Sequence, residues 1–179
     1  MCFMETKIKI AMLTVSLLSI TSISAICQEY IVMGTPFVNI RTGPGTDSYI
    51  IAWASKGDVF KVVRKQSGWY EIVMFTGERR YVVEADFVYQ LTVADIKKRP
   101  DMDLPSENRC KSLYKSILMA KKRAAKEADE IIPYSEDRDR NTIFRKIKED
   151  QIILEVMINS GIQPLLYQDL INRATANNW

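Results

Sequence analysis

Two hydrophobic periods divide the chain. Between Tyr30 and about Val88, short β-prone runs alternate with turn residues, and from Ser106 onward apolar residues recur at spacings of three and four. In the first region, residues 30–33 and 37–40 flank Gly34-Thr35-Pro36, and Gly43-Pro44-Gly45 marks a turn. Proline fixes φ there and glycine permits positive φ. Ile50–Ala54 and residues 59–63 are the next predicted strands, divided by Ser55-Lys56-Gly57-Asp58. Ser67-Gly68 precedes a strand at 69–75, and Thr76-Gly77-Glu78 precedes one at 80–83. Strands this short and close together predict a small all-β sandwich or barrel.

The second region predicts helices. Ser106 is placed to cap a helix whose inner stripe is Leu113, Ile117, Ala120, Ala124 and Ala128, with Pro133 at or just past its end. A second helix is expected from about 136 or 138 to 159, with Ile143, Ile147, Leu154 and Ile158 among its apolar positions and Gly161 as C-cap. Pro164 suits the first turn of a third, short helix carrying Leu165, Leu166, Leu170 and Ile171. Residues 91–105, with Lys97-Lys98-Arg99-Pro100 and Pro105, read as a linker.

The first residues bear on location. Lys7 and Lys9 precede an apolar run from 10 to 20, and small residues follow through Ala25. This is the pattern of a secretory signal peptide over 1–25, and the run is too short to span a bilayer. An exported protein is therefore expected, periplasmic or at the cell surface. Cys27 lies just past the expected cut, which raises a lipid anchor, although Ile26 is larger than the residue such a site prefers. Cys27 and Cys110 are otherwise either two separate thiols or a disulfide, which an oxidising compartment permits.

The order of motifs between Val38 and Val88 resembles the bacterial SH3-like (SH3b) family. A strand runs into a turn of Arg-Ser-Gly-Pro type at Asn39-Ile40-Arg41-Thr42-Gly43-Pro44-Gly45. Gly57 stands ahead of the strand holding Phe60 and Val62, and Gly68-Trp69-Tyr70 matches the family's Gly-Trp-Tyr. The fourth landmark, usually Gly-Trp-Val, reads Arg80-Tyr81-Val82, so the glycine is lost and tyrosine replaces tryptophan. The resemblance implies an SH3-like β-barrel over 28–90; with the linker and the three helices that the apolar spacing predicts over 106–179, an α+β chain is expected. A barrel of that size fills itself with side chains and presents ligand sites on its outside or rim.

What the resemblance implies is a binding module for a peptide, either a cell-wall stem peptide of peptidoglycan or an extended segment of an envelope protein. Trp69 stands where SH3-type domains have a groove tryptophan, although a core place is the alternative. Trp53 faces outward or toward the helices if Ile50, Ala52 and Ala54 face inward, making it a ligand platform or a packing residue. Tyr49, Tyr70 and Tyr81 could add hydroxyls to a groove, although the alternation of Tyr70 with Ile72 favours the core for it, and Arg41 is either a ligand contact or a brace on backbone carbonyls or a carboxylate such as Glu84 or Asp86. A second reading is an assembly protein whose helices contact an envelope partner while the barrel serves as scaffold.

Charge and composition narrow the remaining classes. The net charge of +3 falls to +2 once Glu5, Lys7 and Lys9 are removed, too balanced to imply a nucleic-acid partner. The chain has no histidine, so neither a Ser-His-Asp nor a Cys-His arrangement can be assembled. Two distant cysteines have no zinc spacing, and no Walker or dinucleotide glycine pattern occurs. No metal and no cofactor is expected. Carboxylates could still serve a glycosidase, but they lie mainly in the linker and in surface runs such as Glu127-Ala128-Asp129-Glu130. The basic run Lys115, Lys121, Lys122, Arg123 and Lys126 is either a solvated helix face or a surface for anionic lipid or cell-wall polymer.

Overall fold

Among the described residues, seven antiparallel strands form one sheet and four α-helices follow it. The computed structural model describes residues 29–131 and 138–179. The expected signal peptide, Cys27 and Pro133 lie outside these residues. The strands are β1 (Glu29–Met33), β2 (Val38–Arg41), β3 (Ile50–Ala54), β4 (Val59–Gln66), β5 (Trp69–Val73), β6 (Arg79–Val83) and β7 (Val88–Leu91). The helices are α1 (Val93–Lys97), α2 (Glu107–Ile131), α3 (Arg138–Asn159) and α4 (Tyr167–Ala176). Six strands match the sequence expectation within a few residues; β7, with only four residues of mixed exposure, carries no clear period.

The sheet order is β3-β2-β6-β5-β4-β1-β7, with β3 and β7 at opposite edges. The expected barrel is therefore corrected to an open sheet. A barrel buries its inner face by closing on itself; here the long helix α3 covers that face instead. Leu154 of α3 sits in one cluster with Ile31, Ile40, Ile72, Val82 and the other inward residues of the sheet, and Ile147 and Ile158 pack beside it. Once a helix removes the apolar face from water, strand closure has nothing left to bury.

The hairpin between β4 and β5 shows how local sequence sets register. Ser67 and Gly68 both have positive φ, and Gln66 pairs with Trp69. Two left-handed residues make the tight turn whose twist suits flanking strands. The register slips by one at two places. Ile40 pairs with Ala52 whereas Arg41 pairs with Ile50, which makes Ile51 the extra residue of a β-bulge. Val63 is skipped in the same way between β4 and β5. The first bulge overturns the simple alternation expected for β3: Ile50 is exposed, while Ile51, Ala52 and Ala54 are buried.

The helical region has its own core. Cys110, Leu113, Ile117, Ile153, Met157, Ile162, Leu166, Tyr167 and Leu170 cluster there, and the alanine stripe of α2 is buried as expected. Ile143 is the exception, exposed on the outer side of α3. Gly161 ends α3 at φ 65°, with its N–H donating to Ile158 O and that of Ile162 to Met157 O, the paired bonds of a Schellman cap. Pro164 opens a short 3-10 turn ahead of α4. Residues 91–105 hold the capped helix α1, where Thr92 and Asp95 bond to each other's backbone N–H.

Polar contacts join sheet and helices. Phe75 packs against both cores and lies 4.9 Å, centroid to centroid, from the Tyr167 ring. The Gln163 side chain accepts from Val59 N–H and donates to Gly57 O and to Asp101. Beneath α3, Asp150 is completely buried. Its carboxylate accepts from Thr76 N–H at 3.1 Å, from the Thr76 hydroxyl at 2.9 Å and from Arg80 Nη2 at 3.2 Å. Arg80, the residue standing where the SH3-like pattern has glycine, points inward opposite Ile72 and is itself buried.

Burial dominates the titration of two carboxyls. It pushes Asp150 up to about 6, outweighing the bonds from Thr76 and the charge of Arg80. It also pushes Asp58 up to about 6, against the opposing bond from Ser55 N–H. Both folded-state values exceed the unfolded ones, so the protonated forms favour the folded chain. Their stabilisation is full only below about pH 3.8 and is lost as pH rises through 6. A thermal midpoint that falls between pH 4 and 6.5 is expected, with the slope reduced by Asp58→Asn or Asp150→Asn. A midpoint that rises across that window would contradict the assignment.

Candidate functional site

The outer face of the sheet carries a row of side chains fixed by register. Arg41 pairs with Tyr81, Tyr81 with Glu71, and Glu71 with Arg64, one residue from each of β2, β6, β5 and β4. Glu71 is buried beneath Arg64, which contacts it directly, and Arg79, whose Nη1 lies 3.5 Å away. The Glu71 carboxylate, with a smaller contribution from the Tyr81 hydroxyl, raises the Arg64 pKa above its ordinary value. Arg41 points its Nη1 at the loop between β2 and β3, donating to Thr46 O at 2.9 Å and to Ser48 O at 2.6 Å. These charges satisfy one another. Arg41 thereby ties the β2–β3 loop to the sheet.

Of the expected aromatic residues, the structure unites some and separates others. Trp69 is part-exposed on this outer face, diagonal to Tyr81 across β5 and β6. Tyr49, 82% exposed, stands in the loop that Arg41 braces, its carbonyl accepting from Thr42 N–H. Tyr70 lies in the core. Trp53 lies apart from Trp69 with β2 and β6 between them, roughly 14 Å by strand spacing. The five residues do not form one groove.

Trp53 has a different neighbour. Its side chain is 54% exposed on edge strand β3, and Phe37, 78% exposed, lies just before β2. The two border a groove of about 390 Å³ between this edge and α3. Leu154 and Ile158 line it from the helix, with Gln151, Glu155 and Asn159 along its polar side. Trp53 is therefore not buried against the helices. It forms the open wall of a groove whose opposite wall is helical.

Phe37 adopts φ 62°. Bulky side chains rarely occupy the left-handed region, where Cβ crowds the backbone, and such residues cluster at functional sites. An aromatic ring held strained and exposed contributes little to the fold that houses it. No sequence signal marks this, because Phe37 opens a β-prone run and reads as an ordinary strand residue. Arg80 and Asp150 were equally hidden as a pair, since 70 residues separate them and only the fold brings them together.

Residues 36–88 match the family model described as Bacterial SH3 domain. An SH3-like domain spans these residues. The match takes in Phe37, Trp53, Trp69 and Arg41, reaches the first residue of β7, and leaves out β1 and all the helices. The region beyond it is unassigned. No curated protein and no solved structure matches the chain.

SH3-like domains are non-catalytic binding modules, and the match over residues 36–88 is consistent with that role. Among the described residues, no group of three or more Cys, Asp and Glu side chains is placed to hold a metal ion. No helix among them is long and apolar enough to cross a membrane. Cys110 is buried with its thiol donating to Pro105 O at 3.3 Å, while its possible disulfide partner Cys27 lies outside the described residues.

Proposed function

We propose that this chain is an exported, non-catalytic binding module of the cell envelope whose SH3-like domain receives an extended peptide. The ligand is a cell-wall stem peptide or an extended segment of an envelope protein. It runs beside β3, with an apolar side chain between Phe37 and Trp53. One observation carries this reading: two exposed aromatic rings, one held at positive φ, border a groove beside an open edge strand. An edge strand offers unpaired backbone N–H and C=O groups to an incoming strand, and flanking pockets select its side chains. Trp69, Tyr81, Arg41 and Tyr49 lie outside this groove and serve, in this proposal, as a flanking surface.

The test separates strain from binding. Phe37→Gly removes the ring and relieves the left-handed strain, so the melting temperature should stay level or rise. Retention on purified peptidoglycan, or photo-crosslinking to an envelope protein from position 53, should fall at least tenfold, as removal of an interface anchor typically does. Trp53→Ala should act likewise. Wild-type protein that is not retained at low or moderate salt removes the cell-wall version. Full retention by both variants removes the groove.

The buried Arg80–Asp150 contact favours a second reading, an assembly protein in which the sheet is a platform for the helices. Under it, both aromatic variants would capture their partner as the wild type does, whereas substitutions on the helical surface would not.

A further inference from the structure

The side of α2 turned away from the protein has a composition of its own. Cys110, Leu113, Ile117, Ala120, Ala124 and Ala128 face the core, and Lys111, Lys115, Leu118, Met119 and Lys122 are exposed on the opposite side. Their spacings of three and four place them along one stripe, about 17 Å from Lys111 to Lys122. From Asn108 to Lys126 the sequence contains no acidic residue. Other cations of this helix are engaged: Lys121 with Glu149, Arg123 with Glu127 and Lys126 with Glu130. Arg109 donates to Ser160 O. Among the described residues, Lys111, Lys115 and Lys122 form no ion pair.

Met119 is 72% exposed in the middle of these lysines, with Leu118 beside it. A merely solvated helix face would place polar side chains there. We propose that this stripe of α2 lies on an anionic lipid bilayer, with the three lysines at headgroup phosphates and Leu118 and Met119 between the acyl chains. Lysine stems reach sideways along apolar surface while their ammonium groups stay in the polar layer. Attachment to a bilayer surface draws on buried apolar area together with attraction of basic residues to anionic lipid, and this stripe offers both. The apolar pair decides between partners. An anionic polymer or acidic protein in water would use the lysines and gain little from a bare methionine; a bilayer uses both. This surface is separate from the Phe37–Trp53 groove, and neither proposal depends on the other.

Vesicle flotation tests it, using full-length protein with phosphatidylcholine vesicles and with vesicles of phosphatidylcholine and phosphatidylglycerol. The readout is the part of the excess on anionic vesicles that the α2 substitutions remove, because the apolar run at 10–20 would bind both kinds and Lys7 and Lys9 would favour the anionic one. That excess should be clear at low salt and vanish at high salt, as surface charge attraction is screened. Replacing Lys111, Lys115 and Lys122 by glutamine should reduce it on the order of 100-fold, since each basic residue near an anionic surface contributes about fivefold. Leu118→Gln with Met119→Gln should reduce it about tenfold at unchanged charge. All five residues are exposed, and circular dichroism checks that the variants stay folded. No excess for wild-type protein overturns the proposal. So does binding that needs the lysines but is indifferent to Leu118 and Met119, which would mark a soluble polyanion as the occupant.

Discussion

Asp150→Ala should destabilise the folded protein by about 3–5 kcal/mol at pH 7, measured by urea or thermal unfolding. The magnitude follows from what the substitution leaves behind. Arg80 is buried under α3, and its guanidinium has Asp150 on one nitrogen and the carbonyl of Arg79 on another. Its Nε is buried with no hydrogen-bond partner among the described residues. Taking away the carboxylate leaves a buried positive charge with only the more distant Glu78 carboxylate, 3.9 Å from Nη1, and Thr76 loses its acceptor as well. Asp150→Asn should cost less, because an amide oxygen still accepts from Arg80 or Thr76. Replacing both partners by apolar residues of similar size, Arg80→Met with Asp150→Leu, should return stability to near the wild type. A cost below 1 kcal/mol for Asp150→Ala would show that the pair does not hold α3 to the sheet.

A chain ending at Asp103 should fail to unfold cooperatively near the melting temperature of the whole protein, and should aggregate or melt several degrees lower. The shortened chain keeps all seven strands but loses the cover on their inner face. Leu154, Ile147 and Ile158 leave the sheet core, and Phe75 loses Tyr167. Arg80 loses Asp150, and Val59 and Gly57 lose Gln163. Some 75 residues with one open apolar face are near the lower limit of what hydrophobic burial sustains. Scanning calorimetry of the two chains decides the matter. Equal midpoints would show that sheet and helices fold independently.

The sequence revealed those features that follow from local periods. Gly68 between two strands, the alanine stripe of α2 and Gly161 at the end of α3 each carry a local cause, and each stands where it was expected. The motif order from Arg41 to Tyr70 was legible for the same reason, because it consists of turns and short strands. Closure was not legible. Whether a sheet curls shut or is roofed by a helix depends on packing such as Leu154 joining the cluster that holds Ile72, residues far apart in sequence. The bulge at Ile51 was hidden as well, since Ile50-Ile51-Ala52-Trp53-Ala54 obeys alternation until a register shift breaks it. Arg80 was visible as an oddity in the motif, and its meaning came only with Asp150. Of the candidate site, Trp53 was legible and its partner Phe37 was not, because nothing in the letters announces a positive φ.

The bulge at Ile51 has a consequence for how the protein survives at high concentration. Sheets normally guard their margins with lysine or proline, which discourage one copy from zipping onto another. Strand β3 has neither, and its five residues are Ile, Ile, Ala, Trp and Ala. Its protection is geometric. The skipped residue bends the margin, so only a short run of backbone is straight enough to accept a neighbour, and α3 flanks one side of it. A short guest strand fits such a margin, whereas a long sheet edge from another copy would lose its registry after a few residues. If the margin receives a peptide as proposed, the irregularity would act as a length filter, admitting a short guest and disfavouring a long one.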